Sequence, residues 1–227
     1  MSTPGLDFVS LRAAYAAGSA NPPGIIDSVL QKIAGRGADG VWIYRVPEDE
    51  VRQRARDLPA LPASVRRALP LYGLPFSVKD CIDIAGLPTT AGCPDYRYVA
   101  EQTNLTVRKA LDAGAILIGK TNMDQFATGV VGVRTPYGVA RNPFDPAYIP
   151  GGSSSGAAVS VSAGLCSFAL GTDTGGSGRV PASYNNVVGL KPTLGAFSRR
   201  DMVNASRSFD TISIYALTTP DALEVFR

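Results

Sequence analysis

The sequence predicts an α/β layered protein. Helical periodicity dominates its first 70 residues, and from Leu71 onward short apolar strands alternate with amphipathic helices. A third observation concerns function: ten of the 24 glycines fall between Gly151 and Gly195, interleaved with serines.

In chain order, "SLRAAYAAG" and "GIIDSVLQKIAGRG" place apolar residues at helical spacing and end on glycine, the usual stop. "GVWIYRV" reads as a strand between them and "PEDEVRQRARDL", a helix opening with proline and acids. "LPFSVKD" alternates Leu74, Phe76 and Val78 with Ser77 and Lys79, the period of a strand. "TVRKALDAGA" returns to helix, and "ILIGK" is a continuous apolar run suited to a buried strand. The Ala/Val runs flanking the glycine–serine region predict helix and strand there rather than a linker. "TTPDALEVFR" opens a final helix with Thr219 as cap and Pro220 at the first position. It stops at Arg227 with no capping residue, so the expectation is a fold truncated at its C-terminal end. The organisation expected is an N-terminal helical region over 1–70 and a core over 71–227, within one domain overall.

Composition excludes several classes of function. Net charge is +3, and the basic residues are scattered apart from pairs such as Arg66-Arg67 and Arg199-Arg200. No clustered basic face for nucleic acid is expected. No apolar stretch approaches the roughly 18 residues of a membrane span. The opening "MSTPGLDFVSLRAAYAAG" lacks the basic-then-apolar order of a signal peptide, so the cytoplasm is the expected location. Cys81, Cys93 and Cys166 are odd in number and widely spaced, and are expected as small buried hydrophobes. The chain has no histidine, which excludes Ser-His-Asp, Cys-His and His-ligated metal chemistry within it.

Three readings compete for the clusters "GGSSSG" and "GTDTGGSGR". A phosphate cradle lacks the GxxxxGK[ST] pattern. Structural turns would account for either cluster alone. Together with the upstream "VKD", the clusters suggest an acyl-transfer site. A serine hydroxyl is a poor nucleophile until a base takes its proton. Without histidine, a lysine kept neutral by burial can be that base. A second serine, both donor and acceptor, can carry the proton between them. Backbone N–H groups in "TGGS", with glycines leaving the space clear, suit a developing oxyanion. Taken singly, Lys79 reads as an exposed lysine at a strand end, Ser153 as a helix cap and Ser177 as a turn serine.

The long segment "PGGSSSGAAVSVSAGLCSFALGTDTGGSGRVPASYNNVVGLKPT" resembles the amidase signature family. "LPLYGLPFSVKDCIDIAGLPTTAGCP", "GAILIGKTNMDQFATGVVGVRTPYG" and "SGRVPASYNNVVGLKPT" are similar to its allophanate hydrolase subgroup, and the resemblance runs from about Asp7 to the last residue. It implies an amidase-signature fold, a mixed central β-sheet flanked by helices. It further implies a Ser–cis-Ser–Lys triad, with Lys79 as base, Ser153 as bridging serine after a cis peptide, and Ser177 as nucleophile. Thr174, Gly175 and Gly176 would form the oxyanion hole. Ser154, Asp173, Arg179 and Asp210 would support the site. In this reading Ser154 and Ser155 serve as hydrogen-bonding support and helix cap, and Arg179 and Asp210 form a buried ion pair, with solvent-exposed charges as the alternative. The implied reaction is hydrolysis of a small-molecule amide, allophanate above all, in urea degradation. No metal or organic cofactor is implied, nor nucleic acid or membrane; a homodimer or a urea carboxylase partner is compatible with the resemblance. A general amidase, the glutamine-amide subunit of a tRNA-dependent amidotransferase, and a catalytically inactive truncated remnant or interaction module remain as alternatives. Gly175 stands where the subgroup often has alanine, and Cys81 where asparagine is usual.

Overall fold

A computed structural model describes residues 4–227. Six strands form the main sheet: β1 (Trp42–Arg45), β2 (Pro75–Lys79), β5 (Ile116–Thr121), β6 (Phe168–Asp173), β7 (Val188–Leu190) and β8 (Thr211–Ala216). Their spatial order is β1-β5-β2-β6-β8-β7. The central three, β5, β2 and β6, are parallel, whereas β1, β8 and β7 pair antiparallel at the flanks. The sheet is therefore mixed, as expected. Two short strands, β3 (Pro88–Thr89) and β4 (Tyr98–Val99), make a separate hairpin-like pair.

Helices α1 (Phe8–Ala16), α2 (Pro22–Arg36), α3 (Glu48–Ala60) and α4 (Ala63–Ala68) come from the first 70 residues. β1 also comes from this stretch and adds antiparallel to β5. The glycine stops act as read: Gly18 and Gly37 follow α1 and α2 with φ of 66° and 62°, the left-handed region that glycine enters without a Cβ clash. α5 (Leu105–Asp112) is the crossover helix before β5. α7 (Arg179–Tyr184) follows the second glycine cluster, and α8 (Thr219–Phe226) ends the chain. The cap of α8 lies one residue earlier than the sequence reading put it. Thr218, not Thr219, accepts from the N–H of Asp221 (3.2 Å), which moves Pro220 to the second helical position.

α6 (Ser155–Ser162) positions the site. It packs against β2, β5, β6 and β8, and its residues Ser155 to Val161 are all buried. Only small side chains fit a helix enclosed on every side, which explains "SGAAVSVS". At Gly156 a Cβ would stand 2.4 Å from the Val41 carbonyl oxygen, so the backbones touch there. β2 is buried on both faces. Phe76 stacks on Phe168 with ring centroids 5.0 Å apart, and Phe8 meets Phe168 edge-on. The alternate residues Ser77 and Lys79 point toward α6, where Ser77 Oγ lies 2.8 Å from Ser160 Oγ. Cys81 and Cys166 are buried as expected, but Cys93 is half-buried in a loop and is not a core residue.

Candidate active site

Parallel strands deliver side chains to one edge of a sheet, and ligand sites in such sheets form beyond the carboxyl ends. Lys79 is the last residue of β2, and Asp173, the last of β6, is followed directly by the turn carrying Ser177. The start of α6 brings Ser153 to the same place. Lys79 Nζ lies 2.7 Å from Ser153 Oγ and 2.7 Å from Thr172 Oγ1. Lys79 and Ser153 are wholly buried and Ser177 is 3% exposed. Burial pushes the Lys79 amine below its ordinary pKa of 10.5. Cys81 and the carboxylates of Asp124, Asp210 and Asp173 oppose that shift without overcoming it. A neutral amine both donates and accepts, so Lys79 can hold one hydroxyl and receive a proton from the other.

The first cluster, Gly151 to Gly156, is buried throughout, and its Gly152–Ser153 peptide bond is cis. Asp124 organises it. Its carboxylate accepts from the backbone N–H groups of Gly132 and Arg134 (2.9 Å each) and Val131 (3.2 Å), while its own N–H donates to the Ser153 carbonyl (3.0 Å). A Cβ at Gly152 would lie 2.2 Å from Asp124 Oδ2, so only glycine fits. Ser154 Oγ donates to the Thr172 carbonyl (3.1 Å), tying this cluster to β6. The expected helix cap at Ser155 is not formed. Ser155 is the first residue inside α6 and contacts the Asn122 carbonyl (3.4 Å), and Ser154, at the cap position, directs its side chain to β6 instead.

The second cluster is held by Asp173. One carboxylate oxygen accepts from the Gly176 N–H (2.9 Å) and the other from the Gly178 N–H (3.0 Å). Arg179 closes a two-pronged contact on the same carboxylate at 2.9 and 3.1 Å. Burial alone would raise the Asp173 pKa, but the Arg179 guanidinium and the two N–H donors outweigh it and hold the group low. The expected Arg179–Asp210 pair is thus replaced by Arg179–Asp173, and the Arg179 side chain is 56% exposed. Asp210 is buried but accepts from the Thr174 hydroxyl and from the Ser206 N–H (3.1 Å). Gly176 also departs from expectation. Its N–H is engaged by Asp173, so in this conformation it is not a free oxyanion donor. The N–H groups of Thr174, Gly175 and Ser177 make no hydrogen bond among the described residues, and Gly175 is exposed.

Sequence reasoning missed three contributors: Thr172 on the lysine amine, Asp124 under the first cluster, and Tyr215. The buried Tyr215 hydroxyl donates to the Ser177 carbonyl (2.8 Å). Thr172 sits in the "GTDTGGS" cluster already singled out, and Asp124 lies in "GKTNMDQF", within one of the segments similar to the allophanate hydrolase subgroup. Both were visible signals. Cys81 is buried beside the lysine, its Sγ 3.9 Å from Thr172 Oγ1, and burial pushes its thiol pKa up.

The sequence profile of the family described as "Amidase" matches residues 25–227. Urea amidolyase of Saccharomyces cerevisiae is 45% identical over 203 residues, covering 89% of this chain and 11% of that protein. A glutamyl-tRNA(Gln) amidotransferase subunit of Prochlorococcus marinus is 37% identical over 221 residues, covering 97% of this chain and 46% of its own length. Among solved structures, a serine-to-alanine variant of Kluyveromyces lactis allophanate hydrolase superposes with a TM-score of 0.89 at 41% identity, over 100% of this chain and 37% of that one. The chain thus spans less than half the length of these relatives.

Proposed function

The chain belongs to the amidase family, and from that premise we propose that it hydrolyses a linear carbon–nitrogen amide bond through Ser177, Ser153 and Lys79. The observation that carries the reading is the 2.7 Å contact between Lys79 Nζ and Ser153 Oγ, made by two wholly buried groups. A lysine denied water favours its neutral form and can act as a base at ordinary pH.

In the proposed cycle Lys79 takes a proton from Ser153 as Ser153 takes one from Ser177. Ser177 Oγ bonds to the amide carbon, and the carbonyl electron pair moves onto oxygen. The N–H groups of Thr174, Gly175 and Ser177 receive that charge. Collapse breaks the C–N bond, and the leaving nitrogen takes the proton back through Ser153, departing as ammonia from a primary amide. Water then attacks the Ser177 ester, its proton following the same relay, and the acid is released with Ser177 restored. Asp173 and Arg179 hold the turn on one side, and Asp210 anchors Thr174 on the other.

Allophanate is the proposed substrate, with ammonia and carbon dioxide as the end products of urea degradation. Support comes from the identity to urea amidolyase and allophanate hydrolase over nearly the whole chain. A urea carboxylase partner or homodimer and a cytoplasmic location belong to the same proposal; among the described residues no helix is long and apolar enough to cross a membrane. Gly175 favours a second reading, a general amidase or the glutamine-amide component of an amidotransferase, because alanine is common at that position in the allophanate subgroup.

The test is ammonia release from allophanate, glutamine and simple amides, run beside labelling with a fluorophosphonate, whose P–F bond breaks as Ser177 Oγ bonds to phosphorus. Labelling of wild type but not Ser177→Ala, with allophanate the best substrate, supports the reading. Preference for glutamine or simple amides moves the assignment to the second. An unlabelled wild-type chain contradicts both and leaves a non-catalytic remnant.

A further inference from the structure

We infer that Tyr215 is a positioning residue for the nucleophile: its hydroxyl, through the Ser177 carbonyl, sets the orientation from which Ser177 Oγ attacks. The inference rests on the proposed role of Ser177. Tyr215 is the penultimate residue of β8 and has no exposed surface. Its neighbours across the strand pairing, Ala169 and Gly189, offer no polar side chain, while the Ser154 and Ser213 hydroxyls lie near its own. A buried phenol is stable only if its hydroxyl finds a partner, whereas phenylalanine would fill nearly the same volume without that demand. The hydrogen bond it makes in this geometry is to the carbonyl of Ser177, at 2.8 Å.

The Ser177–Gly178 peptide is thereby held at both of its polar atoms. Tyr215 donates to its oxygen, and its N–H donates to Asp173 Oδ2 at 3.0 Å. On the preceding side, Asp173 Oδ1 holds the Gly176 N–H at 2.9 Å. A peptide plane gripped at both edges leaves the adjoining Cα little freedom to rotate, so the side-chain oxygen is presented in one direction. The backbone under the ring is shaped to match. A Cβ at Gly171 would stand 2.7 Å from Tyr215 Cε2 and 3.0 Å from Ser154 Oγ, so glycine there lets the ring and the first serine cluster approach together. Tyr215 is not a proton carrier in this account. Burial raises its pKa and keeps the phenol neutral.

Tyr215→Phe in the full chain removes the donor and keeps the ring. The second-order rate of fluorophosphonate labelling should fall roughly 3- to 10-fold, the range for losing one neutral hydrogen bond. The pH at which the rate is half-maximal, set by Lys79, should stay where it is in wild type, and so should KM for any amide turned over. A merely structural role predicts a lowered melting temperature with an unchanged labelling rate well below it. 3-Fluorotyrosine at position 215 retains the hydroxyl as a stronger donor and should label at or above the wild-type rate, which keeps the test decisive where the Phe variant does not fold. A Phe variant that labels as fast as wild type, or a fluorotyrosine chain that labels several-fold slower, overturns the inference alone. An unlabelled wild type overturns it together with the role of Ser177.

Discussion

The segments 151–156 and 171–179 both bring glycines and hydroxyls to one end of the sheet, yet they are built differently. Each rests on a carboxylate that accepts backbone N–H groups: Asp124 takes three from the loop pressed against the first segment, and Asp173 takes two from within the second. The first is sealed, with every residue buried and the lysine amine beneath it. The second opens outward at Gly175, and its carboxylate is braced by a half-exposed arginine. A base needs exclusion from water to stay neutral, while a nucleophile must meet a substrate arriving from water. In the proposed function the closed segment would handle protons and the open one would meet substrate.

The largest effect that could break this division is on Ser177. Ser177→Ala should lower amide turnover by a factor on the order of 10⁴ or more, as loss of a nucleophile does elsewhere, while leaving the melting temperature nearly unchanged. Ammonia release and calorimetry on one preparation check both halves. Within the closed segment, Ser153 and Ser155 are two residues apart but contact different groups. Ser153→Ala should slow labelling by roughly 10²–10⁴, the range for a lost proton-transfer group. Ser155→Ala, which loses only a long contact to the Asn122 carbonyl, should change it by about twofold or less, the low end for one neutral hydrogen bond. Equal effects would dissolve the distinction between the two serines.

Stability sharpens the comparison further. A methyl group at Gly152 would collide with Asp124 and the Gly132 nitrogen, so Gly152→Ala should cost about 3 kcal/mol or more. Around Gly175 there is nothing within 4 Å, and Gly175→Ala should stay within about 0.5 kcal/mol in urea unfolding. The effect at Lys79 depends on pH. Its folded pKa lies below the unfolded value of 10.5, so between the two the unfolded chain holds one proton more, and stability rises with pH across that window. Compared with Lys79→Met, wild type should therefore gain up to about 1.4 kcal/mol per pH unit toward pH ~10. A constant difference would mean that the lysine is charged in the fold.

Much of this was legible in the sequence. Helical spacing with glycine stops located α1, α2 and α5, and the alternation in "LPFSVKD" put Ser77 and Lys79 on one face. The alternation could not reveal that both faces are covered, because burial of the polar face depends on α6, 76 residues after Lys79 at its first residue. β8 went unread although "TISIYA" has strand composition, since its place beside β6 is a long-range pairing. The resemblance brought Lys79 and Ser153 together but misplaced the ion pair. Asp173 lies six residues before Arg179 and Asp210 31 after it, and the fold brings both carboxylates beside Thr174. Local geometry decided for Asp173, which Arg179 meets within one turn of chain.

The most direct test is the fluorophosphonate labelling rate of the wild-type chain followed from acid to pH ~10, beside Lys79→Met. A lysine base kept neutral by burial predicts a rate that climbs with pH to a midpoint below 10.5, and a Lys79→Met chain that labels far more slowly at every pH. A profile that is flat, or a Lys79→Met chain that labels as fast as wild type, contradicts it.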